Sequence, residues 1–172
     1  MNVRPGLIAV GSAAALVGGI ALAAPANAQQ PAAARYRSAP RYIVNSATGL
    51  CMTVHGGSRA KGAKVDLYRC VGAANQKWTL VPMRDTQQIV NLKSGLCLDV
   101  LGGRKGNGAL LGQWTCNGKS NQRFLITSMA GGGFMIVSAV SLRELQPKYH
   151  DRRSNNPVHQ WAAKGKWARW HH

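Results

Sequence analysis

The chain repeats itself with a period of 46 residues, and this repetition constrains the fold more than any other feature. The matched pairs are Ile43–Asn45 with Ile89–Asn91, Gly49–Cys51 with Gly95–Cys97, Cys70 with Cys116, and Asn75–Trp78 with Asn121–Phe124. A fainter third copy emerges after a further shift of 47 residues, with Ile136–Ser138 under Ile89–Asn91 and Gln160–Trp161 under Gln113–Trp114. The sequence therefore divides into repeats at about 41–83, 84–130 and 131–172.

Each copy consists of short runs rich in Val, Ile, Leu and aromatic residues, separated by clusters of Gly and Asn. In the first copy these runs are Arg41–Asn45, Cys51–Val54, Lys64–Cys70 and Lys77–Val81. Four strands in each of three copies predict an all-β domain of about twelve short strands. The 20 Gly and 7 Pro favour many turns and argue against a helical bundle.

The N-terminus predicts export. A short basic region, Met1–Arg4, precedes a small-residue apolar stretch, Leu7–Ala24, and an A-x-A pattern at Ala26–Ala28. This is the order of a secretory signal peptide, and the basic flank that stops transfer of a membrane anchor is missing. We therefore expect residues 1–28 to be a signal peptide, the protein to be extracellular, and residues 29–40 to be a flexible spacer.

Export makes disulfides the expected state of the four cysteines. Cys51 and Cys70 are 19 residues apart, and so are Cys97 and Cys116. One disulfide within each of the first two copies is therefore the simplest of the three possible pairings. The third copy has Glu144 at the first cysteine position and has no such link.

Together these motifs resemble the ricin B-type lectin repeat, also called the Q-x-W repeat. The shared pattern is Gly-Leu-Cys-x-x-Val, a Gly-Gly turn, an aromatic residue two positions before the second Cys, and then Asn-Gln-x-Trp or Asn-Gln-x-Phe. The resemblance covers about residues 41–170. It implies a β-trefoil with a degenerate third repeat, and a non-catalytic domain that binds a galactose-type or xylan-type carbohydrate without a cofactor.

The second copy holds every residue type that a sugar site needs. A pyranose has an apolar face that stacks on an aromatic ring and an edge of hydroxyls that bind carboxylates and amides. The resemblance implies Trp114 as the stacking platform and Asp99 as the acceptor for two hydroxyls. It also implies that Asn121 donates to a hydroxyl and that Gln122 holds Asp99 in place.

Several of these positions have a plainer interpretation. Trp78 and Phe124 occupy the Q-x-W position and are expected in the core. The glutamine of each Asn-Gln pair could equally satisfy buried backbone groups, and Trp114 could be a packed core ring. Gly112 stands where the family often has Gln, so one polar contact is missing or is supplied by Gln113.

The first copy is a weaker candidate site. Tyr68, Asn75 and Gln76 match the pattern, but Thr53 replaces the carboxylate. The resemblance therefore implies that this site is weakened or lost unless Asp66 reaches in.

The third copy is the most altered. It offers Trp161 as a platform, with Gln146 at the carboxylate position and His159 at the neighbouring polar position. Its last segment aligns only after a one-residue deletion, which puts Trp167, Ala168 and Trp170 where Asn, Gln and Trp stand in the other copies. The amide pair is therefore absent. We expect this copy to be a structural lobe with Trp170 in the core.

No motif of an enzyme or a metal site is complete. The segment Gly112–Ser120 resembles a phosphate loop but has five residues between its glycines instead of four. The five acidic residues form no closely spaced pair, and glycoside hydrolysis requires two carboxylates. His171 and His172 have no further ligands at zinc-like spacing. We therefore predict neither catalysis, nor a metal, nor a cofactor.

The charge of the chain predicts a second kind of partner. There are 22 Lys and Arg against 5 Asp and Glu, a net charge of +17 that is spread over all three copies. Such a surplus attracts polyanions, for example an anionic cell-wall polymer; nucleic acid is disfavoured outside the cell. Two alternatives to a lectin therefore remain open. One is a polyanion-binding or antimicrobial protein that uses the trefoil as a scaffold, and the other is a non-catalytic subunit of a toxin or enzyme complex.

Overall fold

The structure, a computed structural model, describes residues 37–162 and 165–172. The predicted signal peptide and most of the predicted spacer lie outside the described residues. Within the described ranges, no helix is long and apolar enough to cross a membrane. The strands are β1 (Arg41–Tyr42), β2 (Val44–Asn45), β3 (Cys51–Val54), β4 (Val65–Tyr68), β5 (Lys77–Met83), β6 (Thr86–Asn91), β7 (Cys97–Val100), β8 (Leu111–Trp114), β9 (Phe124–Ser128), β10 (Phe134–Ser138), β11 (Glu144–Pro147), β12 (Asn156–Trp161) and β13 (Arg169–His171).

Antiparallel pairing closes a ring of strands. The pairing runs from β1 through β5, β6, β9, β10 and β13 and returns to β2. Each repeat adds one hairpin, β3–β4, β7–β8 or β11–β12, whose first strand pairs with β2, β6 or β10. The three equivalent units confirm the predicted all-β trefoil.

The structure has thirteen strands because the first predicted strand, Arg41–Asn45, is divided at Ile43. Arg41 and Tyr42 pair with β5, whereas Val44 and Asn45 pair with β13. The chain therefore changes neighbours at Ile43 to close the ring, and neither ladder runs through that residue.

The core repeats with the same three-fold pattern. Burial of these apolar side chains is the main favourable term for the fold, and their interdigitation fixes the register of the three repeats. The equivalent buried sets are Ile43, Ile89 and Ile136; Met52, Leu98 and Leu145; Val65, Leu111 and Val158; and Trp78, Phe124 and Trp170.

The expectation that Trp170 lies in the core is confirmed. The indole Nε1 of Trp170 donates to the carbonyl oxygen of Leu145 at 3.0 Å, and that of Trp78 donates to the equivalent carbonyl of Met52 at 2.9 Å. A short 3₁₀ turn, Lys166–Ala168, precedes it as equivalent turns do in the other repeats. The third repeat thus keeps its core despite losing the Asn-Gln pair.

Both predicted disulfides are present, Cys51–Cys70 and Cys97–Cys116, with Cα–Cα distances of 5.3 and 5.0 Å. Each links the first strand of a hairpin to the loop that follows its second strand. Since cross-links of this size restrict the unfolded chain, each stabilises its repeat by about 3 kcal/mol. They also anchor the loops that carry the candidate site residues.

Candidate functional site

Asp99 is held in a fixed orientation in the second repeat. It lies on β7, nearly buried, and its Oδ2 accepts hydrogen bonds of 2.8 Å from both Asn121 Nδ2 and Gln122 Nε2. Its Oδ1 accepts no hydrogen bond from the described part of the chain. One carboxylate oxygen is therefore fixed by the protein, and the other has no hydrogen-bond donor among the described residues.

The surroundings of Asp99 make its charge sensitive to pH. Burial raises the pKa of Asp99 above its ordinary value of 3.8, whereas the hydrogen bonds from Gln122 and Asn121 lower it. The net shift is upward. The ionised carboxylate thus depends on these two amide donors for much of its stability.

Gln122 connects Asp99 to the loop after the disulfide. Its Nε2 also donates to the carbonyl of Thr115 at 2.9 Å, and its Oε1 accepts from the backbone N–H of Asn117 at 2.8 Å. The side chain is fully buried, and its whole amide group is used within the protein. Gln122 therefore positions Asp99 and does not face a ligand.

Trp114 is an exposed ring and not a core residue. It ends β8 with 44% of its surface exposed. Gly62 lies nearby: if it carried a Cβ, that atom would be 3.6 Å from Cζ3 of Trp114. An open cavity of about 390 Å³ is lined by Trp114, Asp99 and Asn121 together with the Gly102–Gly103 turn. The structure thus brings the predicted ring, carboxylate and amide around one cavity.

Gly112 and Gln113 do not supply a further polar contact. A Cβ on Gly112, opposite Asp99, would lie 2.6 Å from Leu101 Cδ2 and 2.9 Å from the carbonyl oxygen of Ala63. The glycine is required by this close packing, and no Gln fits there. Gln113 is buried and donates to the carbonyls of the first-repeat loop (Ser58 and Ala60, both 3.0 Å), so the idea that it replaces the missing contact is wrong.

In the first repeat, a carboxylate does reach the pocket. Asp66 lies on β4 directly opposite Thr53, and both line a cavity of about 470 Å³. Its Oδ2 pairs with Nδ1 of His55 at 2.5 Å, while its Oδ1 is buried and has no partner among the described residues. Burial raises the pKa of Asp66, and the contact with His55 opposes this shift.

The other predicted residues of the first repeat are divided between pocket and framework. Tyr68 and Asn75 line the cavity, but Asn75 Nδ2 donates to the carbonyl of Val54 and not to a carboxylate. Gln76 is buried and repeats the contacts of Gln122: its Oε1 accepts from Val71 N–H, and its Nε2 donates to Arg69 O and Thr53 Oγ1. Gln76 is therefore a positioning residue.

The third repeat also has a pocket, of about 330 Å³. Trp161 is 37% exposed on its rim, and His159 stacks against this ring with centroids 5.3 Å apart. Gln146 and His159 face each other across β11 and β12, as Asp99 and Gly112 do in the second repeat. Burial, together with the charges of His150 and Lys148, lowers the pKa of His159 to about 4, so the imidazole is neutral at pH 7.

Several pocket residues were missed by the sequence reasoning, including His55 in the first-repeat pocket and Asn117 and Lys119 in the second. Asn155 and Lys93 line the first-repeat pocket from other repeats, and no local motif marks them. Lys148 and His150 line the third pocket. The repeat alignment could have found these two, because a shift of 47 sets them under Leu101 and Gly103.

Comparison with protein families agrees with the fold and the repeat. The sequence matches the family described as Ricin-type beta-trefoil lectin domain-like over residues 37–109 and again over residues 84–161. The two matches overlap and together extend over more than half of the chain. A comparison with curated proteins gives no match.

Solved structures share the trefoil. A designed three-fold symmetric protein, ThreeFoil, is 26% identical, with a TM-score of 0.73 over 75% of this chain and 94% of that chain. An exo-β-1,3-galactanase from Clostridium thermocellum is 28% identical, with a TM-score of 0.75 over 77% of this chain but only 29% of that chain. A Macrolepiota procera ricin B-like lectin in complex with lactose is 19% identical, with a TM-score of 0.67 over 77% and 92% of the two chains, which shows likeness of fold. The family match over both intact repeats, on a three-fold trefoil framework, establishes that this chain belongs to the ricin-type β-trefoil lectin domain family.

Proposed function

We propose that the protein is a secreted, non-catalytic carbohydrate-binding protein whose main sugar site lies in the second repeat. The observation that carries the proposal is the state of Asp99: one oxygen is fixed by Asn121 and Gln122, and the other is unpartnered beside the exposed ring of Trp114. This is the combination of a flat apolar surface and an oriented acceptor that a pyranose requires.

The binding mode follows from the free atoms of the site. The apolar face of the sugar stacks on Trp114. Asp99 Oδ1 accepts from two neighbouring hydroxyls with charge-assisted strength. Asn121 uses its Nδ2 to donate to Asp99 but retains a second N–H and its carbonyl oxygen for a third hydroxyl.

Family membership and the neighbouring structures support a glycan as the ligand. The Macrolepiota procera lectin is described in complex with lactose, and the Clostridium thermocellum protein is described as a galactanase. We infer a galactose-type or xylan-type glycan for this chain. The pockets in the first and third repeats, with Tyr68 and Trp161 as platforms, are proposed as weaker sites.

The carboxylate distribution supports binding without hydrolysis. The first-repeat pocket is lined by one carboxylate, Asp66, and the second-repeat pocket by one, Asp99. Among its described lining residues, the third pocket has none. Glycoside hydrolysis requires two carboxylates that flank one bond, and no described pocket offers that pair.

A second candidate function is polyanion binding with the trefoil as scaffold, and the distribution of charge favours it. Of the five acidic residues, Asp66, Asp99 and Glu144 are buried, which leaves Asp85 and Asp151 at the surface. Asp151 is further neutralised by Arg153 at 2.6 Å. The charged groups at the surface are therefore almost all cationic. They would attract a polyanion, and the attraction would weaken as the salt concentration rises.

One experiment separates the two functions. The purified protein is applied to a glycan array at low and at physiological salt, and the variant Asp99→Asn is compared with Asp85→Asn, which removes the same charge from an exposed turn. We expect a neutral glycan to bind at both salt concentrations, Asp99→Asn to lose that binding, and Asp85→Asn to retain it. Binding of anionic polymers alone, lost at physiological salt, would instead establish the scaffold function.

A further inference from the structure

The third-repeat pocket is built on the hairpin equivalent to that of the second-repeat site but differs in charge. Its described lining residues include basic ones and no carboxylate, whereas the lining of the second-repeat site has both Asp99 and Lys119. Lys148 and His150 stand at the positions where Leu101 and Gly103 line the second-repeat cavity. The repeat thus replaces an apolar and a small residue on the pocket wall by two basic ones. A change of wall chemistry at equivalent positions changes the class of ligand that the pocket can accept.

The carboxylate of the second-repeat site has no counterpart in this pocket. Gln146 takes the position of Asp99, and the neutral His159 faces it across the hairpin with a contact of 3.4 Å between the two side chains. The ring Nδ1 of His159 is buried and has no hydrogen-bond partner in the described ranges. The nearest acid along the strand, Glu144, is buried at the cysteine position and does not line the cavity.

The stacking platform is nevertheless retained. Trp161 is exposed, and the His159 ring stacks against it. If Gly108 carried a Cβ, that atom would be 3.8 Å from Cζ3 of Trp161. Gly62 lies at a similar distance from Trp114 in the second repeat. The pocket can therefore stack a sugar ring even though it lacks an anionic acceptor.

Further basic groups surround this platform. A neighbouring depression of about 400 Å³ shares Lys148 and Gly108 with the pocket and adds Arg104. On the other side, His150 stacks on Trp167 with centroids 4.9 Å apart, and the ammonium of Lys166 lies 5.2 Å from the centre of the same ring. Lys148 lines both depressions, Arg104 lines the neighbouring one, and Lys166 contacts the ring on which His150 stacks.

From this arrangement we propose that the third-repeat pocket binds an anionic sugar unit, stacked on Trp161 with its negative group at Lys148. The shared chemistry is a ring with one carboxylate or sulfate substituent. A carboxylate on the protein would repel such a ligand, and this pocket is the one of the three without one. The inference rests on the proposed carbohydrate binding of the fold but not on the second-repeat site.

The test uses calorimetric titration of the whole protein with three probes: trigalacturonic acid, its methyl ester, and a sulfated galactose oligosaccharide. The variants are Trp161→Ala and Lys148→Gln. Their matched controls are Trp114→Ala, which removes the equivalent ring, and Arg84→Asn, which removes one charge outside the pockets. Asn suits the left-handed backbone of residue 84, where φ is 46°. Lys148 is exposed, so its variant reports on binding even if Trp161→Ala lowers stability.

We expect the affinity for trigalacturonic acid to fall by up to about tenfold with Trp161→Ala, which removes the stacking surface. We expect it to fall several-fold with Lys148→Gln, which removes one exposed charged contact. Arg84→Asn should leave this affinity nearly unchanged, and Trp114→Ala should lower it less than Trp161→Ala does. The affinity for the methyl ester should not respond to Lys148→Gln. Equal losses in Lys148→Gln and Arg84→Asn, or equal affinity for acid and ester, would overturn the proposal. The sulfated probe tells whether the pocket recognises charge in general or the carboxylate in particular; either result supports an anionic sugar.

The outcomes also separate this inference from the proposed function. Binding of a neutral glycan that depends on Asp99, with no binding of either anionic probe, leaves the function standing and defeats the inference. If an anionic probe binds through Trp161 and no neutral glycan binds at Asp99, the inference stands and the proposed main site in the second repeat is wrong.

Discussion

Asp66 lies directly opposite Thr53 across the β3–β4 ladder, at the position that Gly112 occupies opposite Asp99 in the second repeat. The first two repeats therefore carry their pocket carboxylates on opposite strands of equivalent hairpins. In the second repeat two amides hold the carboxylate, whereas in the first repeat a half-exposed histidine, His55, pairs with it.

This difference predicts unequal contributions to neutral glycan binding. Trp114→Ala should lower the affinity by up to about tenfold, because aromatic stacking contributes about 0.5–1.5 kcal/mol. Tyr68→Ala should have a smaller effect, because the oxygen of Asp66 that His55 does not engage, Oδ1, is buried. Isothermal titration of both variants with one neutral oligosaccharide tests this. Equal weakening by the two changes would mean that the main site is misplaced.

The charge of Asp99 should control the second-repeat site. Asp99→Asn keeps an acceptor for Asn121 and Gln122 but removes the charge, and we expect a loss of about tenfold to a hundredfold. Because the pKa of Asp99 is raised, wild-type affinity for a neutral glycan should fall with decreasing pH around a midpoint above 3.8. The Asp99→Asn protein should lack this transition, and Asp85→Asn should keep it. A variant that binds like wild type across this range would show that Asp99 is not the acceptor.

His159 should make the domain less stable in mild acid. Its pKa is about 4 in the folded protein against an ordinary 6.5, so between these values the unfolded chain takes up a proton that the folded chain does not. The resulting loss approaches about 3 kcal/mol as the pH falls from 6.5 to 4.

The variant His159→Gln is neutral throughout and should lose less unfolding free energy over that range. Denaturant unfolding of both proteins at pH 7, 5.5 and 4 measures the difference. Asp66 and Asp99 titrate in both proteins, so their contributions cancel. Parallel pH profiles for the two proteins would contradict the burial argument.

Gly112 should tolerate no side chain. Gly112→Ala places a Cβ against Leu101 and the backbone oxygen of Ala63, and overpacking of this kind costs about 1–3 kcal/mol. The control is Gly106→Ala, where a Cβ meets nothing within 4 Å. Chemical denaturation of both variants measures the two losses. Similar small losses at both positions would show that the β7–β8 hairpin can adjust to the added methyl group.

The sequence predicted most of the fold because the repeat identities fall on residues that the structure uses for packing. Trp78, Phe124 and Trp170 are equivalent core residues, and the deletion that aligns Trp170 is accommodated before the last 3₁₀ turn. The division of the first strand was not predicted. It depends on the ring closing at Ile43, which no local pattern records.

The site was predictable only as far as it lies within one repeat. Asp99, Trp114 and Asn121 come together through one hairpin and its following loop, so their offsets indicated their proximity. The orientation of the Gln113 side chain was not predictable, because its amide donates to backbone carbonyls in a loop of the preceding repeat. Whether Asp66 reaches the first-repeat pocket depends on the register between β3 and β4, which the spacing of residues in the sequence does not determine.

The rings of the second and third pockets lie near a glycine of the preceding repeat, Trp114 near Gly62 and Trp161 near Gly108. Asn155 lines the first pocket from the third repeat. The first and third pockets are therefore lined by residues of more than one repeat, whereas the lining residues of the second all come from the second repeat. An isolated repeat would lack the closed core, and an isolated first or third repeat would also lack part of its pocket lining. Under the proposed function, a sugar in the first or third pocket would contact residues of two repeats, and its binding would stabilise the folded domain as a whole.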